Sequence, residues 1–122
     1  MQLHRTILSE EVISLKFLDI ITILLKYCGP KSNEKGETQA VIVDLLSTLG
    51  YFCVNNSRNQ NLIFTEQLSV VKSIVKLPKE MSIHYYPTLA TLIWKNPDAK
   101  AILSHEFDVE VMQNTLKEIL KD

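Results

Sequence analysis

Cysteine, glycine and proline are all scarce in this sequence, and each scarcity excludes a class of protein. The 122 residues include two cysteines, three glycines and four prolines. Two thiols, Cys28 and Cys53, can build neither a disulfide framework nor a four-thiolate zinc site, so buried thiols in a reducing compartment are the expectation. There is no Gly-rich phosphate loop and no G-x-S-x-G elbow, which removes two common routes to catalysis. Charge of one sign is lacking too. Thirteen Lys and Arg against fourteen Asp and Glu give a net charge of −1, which makes no electrostatic case for a nucleic-acid or membrane-surface protein. The longest apolar stretch, Val12 to Tyr27, is broken by Ser14, Lys16, Asp19, Thr22 and Lys26, so no membrane insertion is expected. The opening MQLHRTILSEEV lacks the apolar run of a secretory signal, and a cytoplasmic location is the expectation.

What is present is apolar and helically spaced. Apolar residues make up 46% of the chain and recur at three and four rather than two, which predicts an all-α fold in a single domain over residues 1–122. Ser9 with Glu10 and Glu11 predicts a helix start, running to about Tyr27 and stopping at Cys28-Gly29-Pro30. Its apolar residues cover more than half the helical wheel, so it needs neighbours on more than one side. Residues 29–37, GPKSNEKGE, read as a mobile loop. A long helix follows over 38–54, then short helices over 57–64, capped by Ser57, and 65–77, capped by Thr65. A second long helix spans about 81–95 around Pro87. Asn96-Pro97 opens another short helix and Asp108 caps the last, over 109–121.

The long-short-short order repeats. At an offset of 40, Asn56 lies over Asn96, Leu62 over Ile102, Leu49 over Leu89 and Val71 over Val111. A period near 40 built from two or three helices is that of armadillo and HEAT arrays, here about two units in a right-handed stack; an irregular helical bundle is the alternative. The register requires helices 38–54 and 81–95 to pack side by side and roughly parallel. Open ends of such a stack need cover. Met112, Leu116, Ile119 and Leu120 are spaced to bury one face, and either residues 1–8 fold back as a partial cap or another subunit or flanking repeat contacts an end.

Residue choice adds a resemblance. The ordered series Tyr27-Cys28, Gly50-Tyr51-Phe52, Val54-Asn55, Asn59-Gln60, Leu77-Pro78, Pro87-Thr88-Leu89, Asn96, Lys100, Ile102-Leu103 and Glu106 resembles the C-terminal armadillo-like region of the S phase cyclin A-associated protein in the endoplasmic reticulum family. The loop at 29–37 looks longer than the family's, and the family's long N-terminal region and zinc finger have no counterpart here. The resemblance implies an armadillo-like scaffold in a cytoplasmic regulator at the cytosolic face of the endoplasmic reticulum. It also implies roles in cyclin binding and as an adaptor in messenger-RNA turnover at ribosomes. It carries over no catalytic motif.

Candidate chemistry is thin. His4, His84 and His105 have no second ligand at metal-binding helical spacing, so no metal, cofactor or catalytic residue is expected. Cys53 between Phe52 and Val54 reads as core rather than nucleophile. Lys72, Lys76 and Lys79 form a small basic cluster, either a solvated face or a contact for RNA or the ribosome. Glu106, Asp108 and Glu110 suit the positive end of the last helix. One pattern stands out: Asp44, Thr48, Tyr51 and Asn55 fall at spacings of four, three and four, and His84, Thr88, Thr91 and Lys95 repeat them forty residues later. Two readings stand for these stripes. They are either the exposed faces of two amphipathic helices, or a polar ladder on a concave surface that binds an extended peptide beside Tyr51 and Trp94. A non-enzymatic protein-interaction scaffold is the functional expectation, and an RNA- or ribosome-contacting helical module is the alternative.

Overall fold

The computed structural model describes residues 2–34 and 36–121, with side chains described from Val12 onward. Among them are seven α-helices and no strand: α1 (Gln2–Cys28), α2 (Glu37–Cys53), α3 (Ser57–Glu66), α4 (Leu68–Val75), α5 (Ser82–Ile93), α6 (Pro97–Ser104) and α7 (Val109–Leu120). One core runs through all of them, from Leu18, Ile21 and Leu25 of α1, through Ile42, Leu46 and Leu49 of α2, to Leu89, Leu92, Leu103 and Met112. The most extensive contact is between α2 and α5. Thr88 donates a hydrogen bond to the Leu46 carbonyl at 3.0 Å, and Gln39 reaches the Met81 sulfur at 3.7 Å. Both pairs are 42 residues apart in the same chain direction, so α2 and α5 lie side by side and parallel. α1 packs on α2 with its middle against the end of α2, the Phe17 and Phe52 rings lying 5.1 Å apart, while the 3₁₀ turn that follows α1 also touches α2.

The forty-residue offset is visible in the backbone. Val54 (φ −60°, ψ 125°) and Trp94 (φ −59°, ψ 121°) leave their helices in the same conformation. Asn55 and Lys95 then both turn left-handed, at φ 49° and 52°. Asn56 (φ −133°, ψ 85°) and Asn96 (φ −134°, ψ 85°) enter the next helix alike. Each of these asparagines uses its side-chain oxygen to accept from the backbone N–H three residues on, which satisfies a helix-end donor.

Parallel packing sets the C-termini of α2 and α5 beside each other, where their unpaired carbonyls and negative dipole ends need donors. Two consecutive residues of α3 supply them. Asn59 donates to the Phe52 carbonyl at 2.7 Å, at the end of α2. Gln60, 2% exposed, donates to the carbonyls of Thr91 at 2.8 Å and Trp94 at 3.1 Å, at the end of α5. The Gln60 oxygen accepts from Asn96, which also donates to Asn61. Both donors and the acceptor of a buried amide are thereby used.

Several expected boundaries move. α1 starts at Gln2, not Ser9, so residues 2–8 extend the helix instead of folding back over an end; Met1 lies outside the described residues. Asn56 rather than Ser57 caps α3, because its oxygen reaches the Asn59 N–H. α4 begins after Gln67, and Thr65 sits inside α3 with its hydroxyl bonded to the Asn61 carbonyl. The expected loop at 29–37 opens with an ordered 3₁₀ turn, Gly29–Lys31, in which Gly29 and Ser32 are buried and the Ser32 hydroxyl donates to the Gly29 carbonyl at 2.6 Å. At the other end Met112 is buried but Ile119 and Leu120 are exposed, so the last turn of α7 does not close over the core.

Replacing Gln60 by Ala or Leu leaves two carbonyls and the Asn96 amide short of partners in a dry site. A loss of about 2–4 kcal/mol in urea unfolding is expected, with Ser57→Ala, exposed on the same helix, as the comparison.

Candidate functional site

The first stripe is exposed throughout, Asp44, Thr48 and Tyr51 on α2 and Asn55 in the turn after it. Asn55 and Lys95 lie beyond the ends of α2 and α5 in left-handed conformation, so neither stripe runs its expected length along a helix. The second stripe is not exposed throughout. His84 and Lys95 are exposed and Thr91 is half-buried, but Thr88 is buried against α2. The reason is the pairing of the two helices at a separation of 42, not 40, which aims Thr88 at Leu46. Thr88 is therefore a seam residue and not a rung of a ladder. The other threonines are also engaged, Thr48 donating to the Asp44 carbonyl at 2.8 Å and Thr91 to the Pro87 carbonyl at 2.9 Å. A ladder of free hydroxyls is absent from these stripes.

What the surface does present is apolar. Tyr51 is 81% exposed, Ile83 63%, Trp94 56% and Val54 51%. Between α2 and α5 lies a shallow groove of about 410 Å³, flanked by Gly50, Tyr51 and Val54 on one side and Ile83, Pro87 and Thr91 on the other. It continues into a smaller hollow of about 230 Å³ between Val54, Ala90 and Trp94. On the far side of Tyr51, a groove of about 450 Å³ opens between α1 and α2, bounded by Ile13, Phe17, Thr48 and Phe52. Tyr51 is the ridge between two apolar grooves. Lys95 ends the track, with its ammonium 6.0 Å from the centre of the Trp94 ring. Residue spacing pointed to Tyr51 and Trp94. It missed Val54, Ile83 and the Ile13–Phe17 edge, because the stripes followed polar residues while the grooves form between helices. The larger hollows, between α1 and α3 and between α6 and α7, are clefts lined mainly by polar side chains.

Of the remaining candidates, His84 lines the α2–α5 groove, and the others are not among the residues lining these grooves. Lys72 lies on α4, Lys76 follows its last turn and Lys79 opens a 3₁₀ turn; all three are exposed. His84 and His105 are exposed, and the His4 side chain lies outside the described residues. Among the described residues no group of three or more His, Cys, Asp or Glu converges on a metal-sized site. Asp108 caps α7 by accepting from the Val111 N–H at 3.1 Å. Cys53 is fully buried, and burial pushes its thiol up to about 12, the opposite of what a nucleophilic thiolate requires. No described helix is long and apolar enough to cross a membrane. Comparison of the chain with protein-family models, curated proteins and solved structures returns no match.

Two outcomes follow from this geometry. Thr88→Val should lower stability by about 1 kcal/mol through the lost bond to Leu46, measured by thermal unfolding. A thiol reagent should label Cys53 only on unfolding. Above pH 9 the unfolded Cys53 ionises while the folded one keeps its proton, so the native state binds more protons and stability falls as pH rises from about 9 towards 12. Urea midpoints across that range check the sign, with Cys53→Ala removing this part of the slope.

Proposed function

We propose that this chain is a two-unit armadillo-like domain, a right-handed helical stack acting as a non-enzymatic protein-interaction adaptor whose α1–α2–α5 face binds a peptide. The repeated turn geometry at an offset of 40 and the parallel α2–α5 pair support the repeat reading. One observation carries the functional part: Tyr51, Val54, Ile83 and Trp94 line connected open grooves while more than half exposed. Contiguous apolar surface of that kind, with aromatic residues at its centre, marks an interaction site. The resemblance to the S phase cyclin A-associated protein in the endoplasmic reticulum family suits an adaptor at the cytosolic face of that organelle, in cell-cycle or messenger-RNA regulation. The alternative reading, contact with RNA or the ribosome, rests on the exposure of Lys72, Lys76 and Lys79.

Capture of partners by the intact protein from a cell lysate, followed by mass spectrometry, tests the choice. Tyr51→Ala should weaken the captured partner by roughly 1–3 kcal/mol and cost little stability, since the side chain is exposed. Lost stability with full affinity would assign Tyr51 to packing and end the groove reading. A Lys72→Glu, Lys76→Glu, Lys79→Glu variant should leave that affinity intact; loss of binding with a steep salt dependence would favour RNA.

A further inference from the structure

α1 carries a separate apolar stripe that faces away from the domain. Its residues Leu18, Ile21, Thr22 and Leu25 are buried against the core. Ile20, Ile23 and Tyr27 leave the opposite side of the helix and are 56%, 54% and 82% exposed. None of the three lines a groove beside Tyr51. With Lys16 they step by four, three and four, the alternation that a heptad seam requires. Lettered as a heptad over 16–27, a is Ile20 and Tyr27, d is Lys16 and Ile23, and g is Asp19 and Lys26. All six are exposed. The e positions, Phe17 and Leu24, are half-buried, with Phe17 against Phe52.

The charges on this stripe say what covers it. A parallel pair of copies sets each d residue against itself, so Lys16 meets Lys16. It also sets Asp19 at g against Leu24 at e, where no cation answers it. An antiparallel pair with Ile20 against Ile23 removes both faults. Lys16 then falls opposite Tyr27, whose ring face attracts an ammonium. The g positions now face each other, and Asp19 of each copy lies beside Lys26 of the other. Asp19 is already positioned: its Oδ1 accepts from Gln67 at 2.6 Å, which fixes the carboxylate at the edge of the stripe. Every contact occurs twice, as an isologous interface demands. The stripe is its own complement in both shape and charge.

We propose that α1 is a dimerisation helix: a second copy of this chain packs on it, antiparallel, about a two-fold axis between Ile20 and Ile23. The proposal is independent of the peptide-binding reading. The seam covers about three helical turns, a small interface, so association in the micromolar range is expected.

Sedimentation equilibrium of the full chain from about 10 μM to about 1 mM should show the mass rising from one chain to two. Ile20→Glu should hold it at one chain with thermal unfolding unchanged, because that side chain is exposed. Asp19→Lys and Lys26→Asp should each weaken self-association by about tenfold. Mixing those two variants in equal amounts should restore it, since each supplies the charge the other lacks at both ion pairs. Tyr51→Ala should leave the mass unchanged. A chain that is monomeric throughout overturns the proposal. So does a dimer that survives Ile20→Glu, or charge variants that fail to recover on mixing. A monomer whose lysate partner is lost in Ile20→Glu would assign the stripe to another protein, and that too overturns the second copy.

Discussion

Setting two long helices parallel and adjacent creates an electrostatic constraint that much of this structure answers. The C-terminal ends of α2 and α5 fall side by side, bringing together two sets of unpaired carbonyls and two negative dipole ends. Asn59 and Gln60, neighbours on α3, meet that demand with one amide for each helix. Gln60 is the more consequential because it is buried and also receives Asn96, which itself caps the start of α6. One side chain thus joins the end of one helix, the start of the next and the preceding unit. Apolar packing alone would hold α2 against α5, but it would not choose where along the helix the two meet. A buried amide with all its partners in place does, since any slip leaves polar groups unpaired.

The same arrangement leaves the candidate surface open. α3, α4, α6 and α7 pack against the long helices, and among the described residues Tyr51, Val54, Ile83 and Trp94 of α2, α5 and the turns that follow them stay uncovered. The apolar residues of that surface stand between helices, where the cylinders diverge, and remain open to solvent. Tyr51 is exposed because it sits on the crest of α2, with a groove on each side. At the α6 end the pattern differs. The positions corresponding to buried Gln60 and Phe64 are Lys100 and Ser104, both exposed, and Phe107 packs over Tyr86 with ring centres 5.8 Å apart. The α6 positions are thus open to solvent where the corresponding positions of α3 are covered.

Spacing and composition by themselves determined the all-helical class, because the period of the apolar residues is a local property set by the geometry of the helix. They also placed the turns before α3 and α6 and the offset of 40 between Asn56 and Asn96, and they named Asn96 as a cap; at α3 they chose Ser57 where Asn56 serves, and before α4 they chose Thr65, which lies inside α3. The start of α1 was not legible. Ser9 and two acids mimic a helix start, and nothing local distinguishes a cap from an interior serine when the helix continues through it.

Only the tertiary structure decided the roles of Gln60, Thr88 and Tyr51. Gln60 and Thr88 look like surface residues on any wheel. They are buried because another helix, thirty to forty residues away, brings carbonyls to them. Thr88 left the stripe that its spacing suggested because α2 and α5 meet at a separation of 42 and not at the repeat length of 40. The candidate surface likewise belongs to no single helix. Its grooves exist only between α1, α2 and α5, so their lining residues share no period in the chain, and a helical wheel can show which residues leave a helix on one side but not which of them a neighbour will cover.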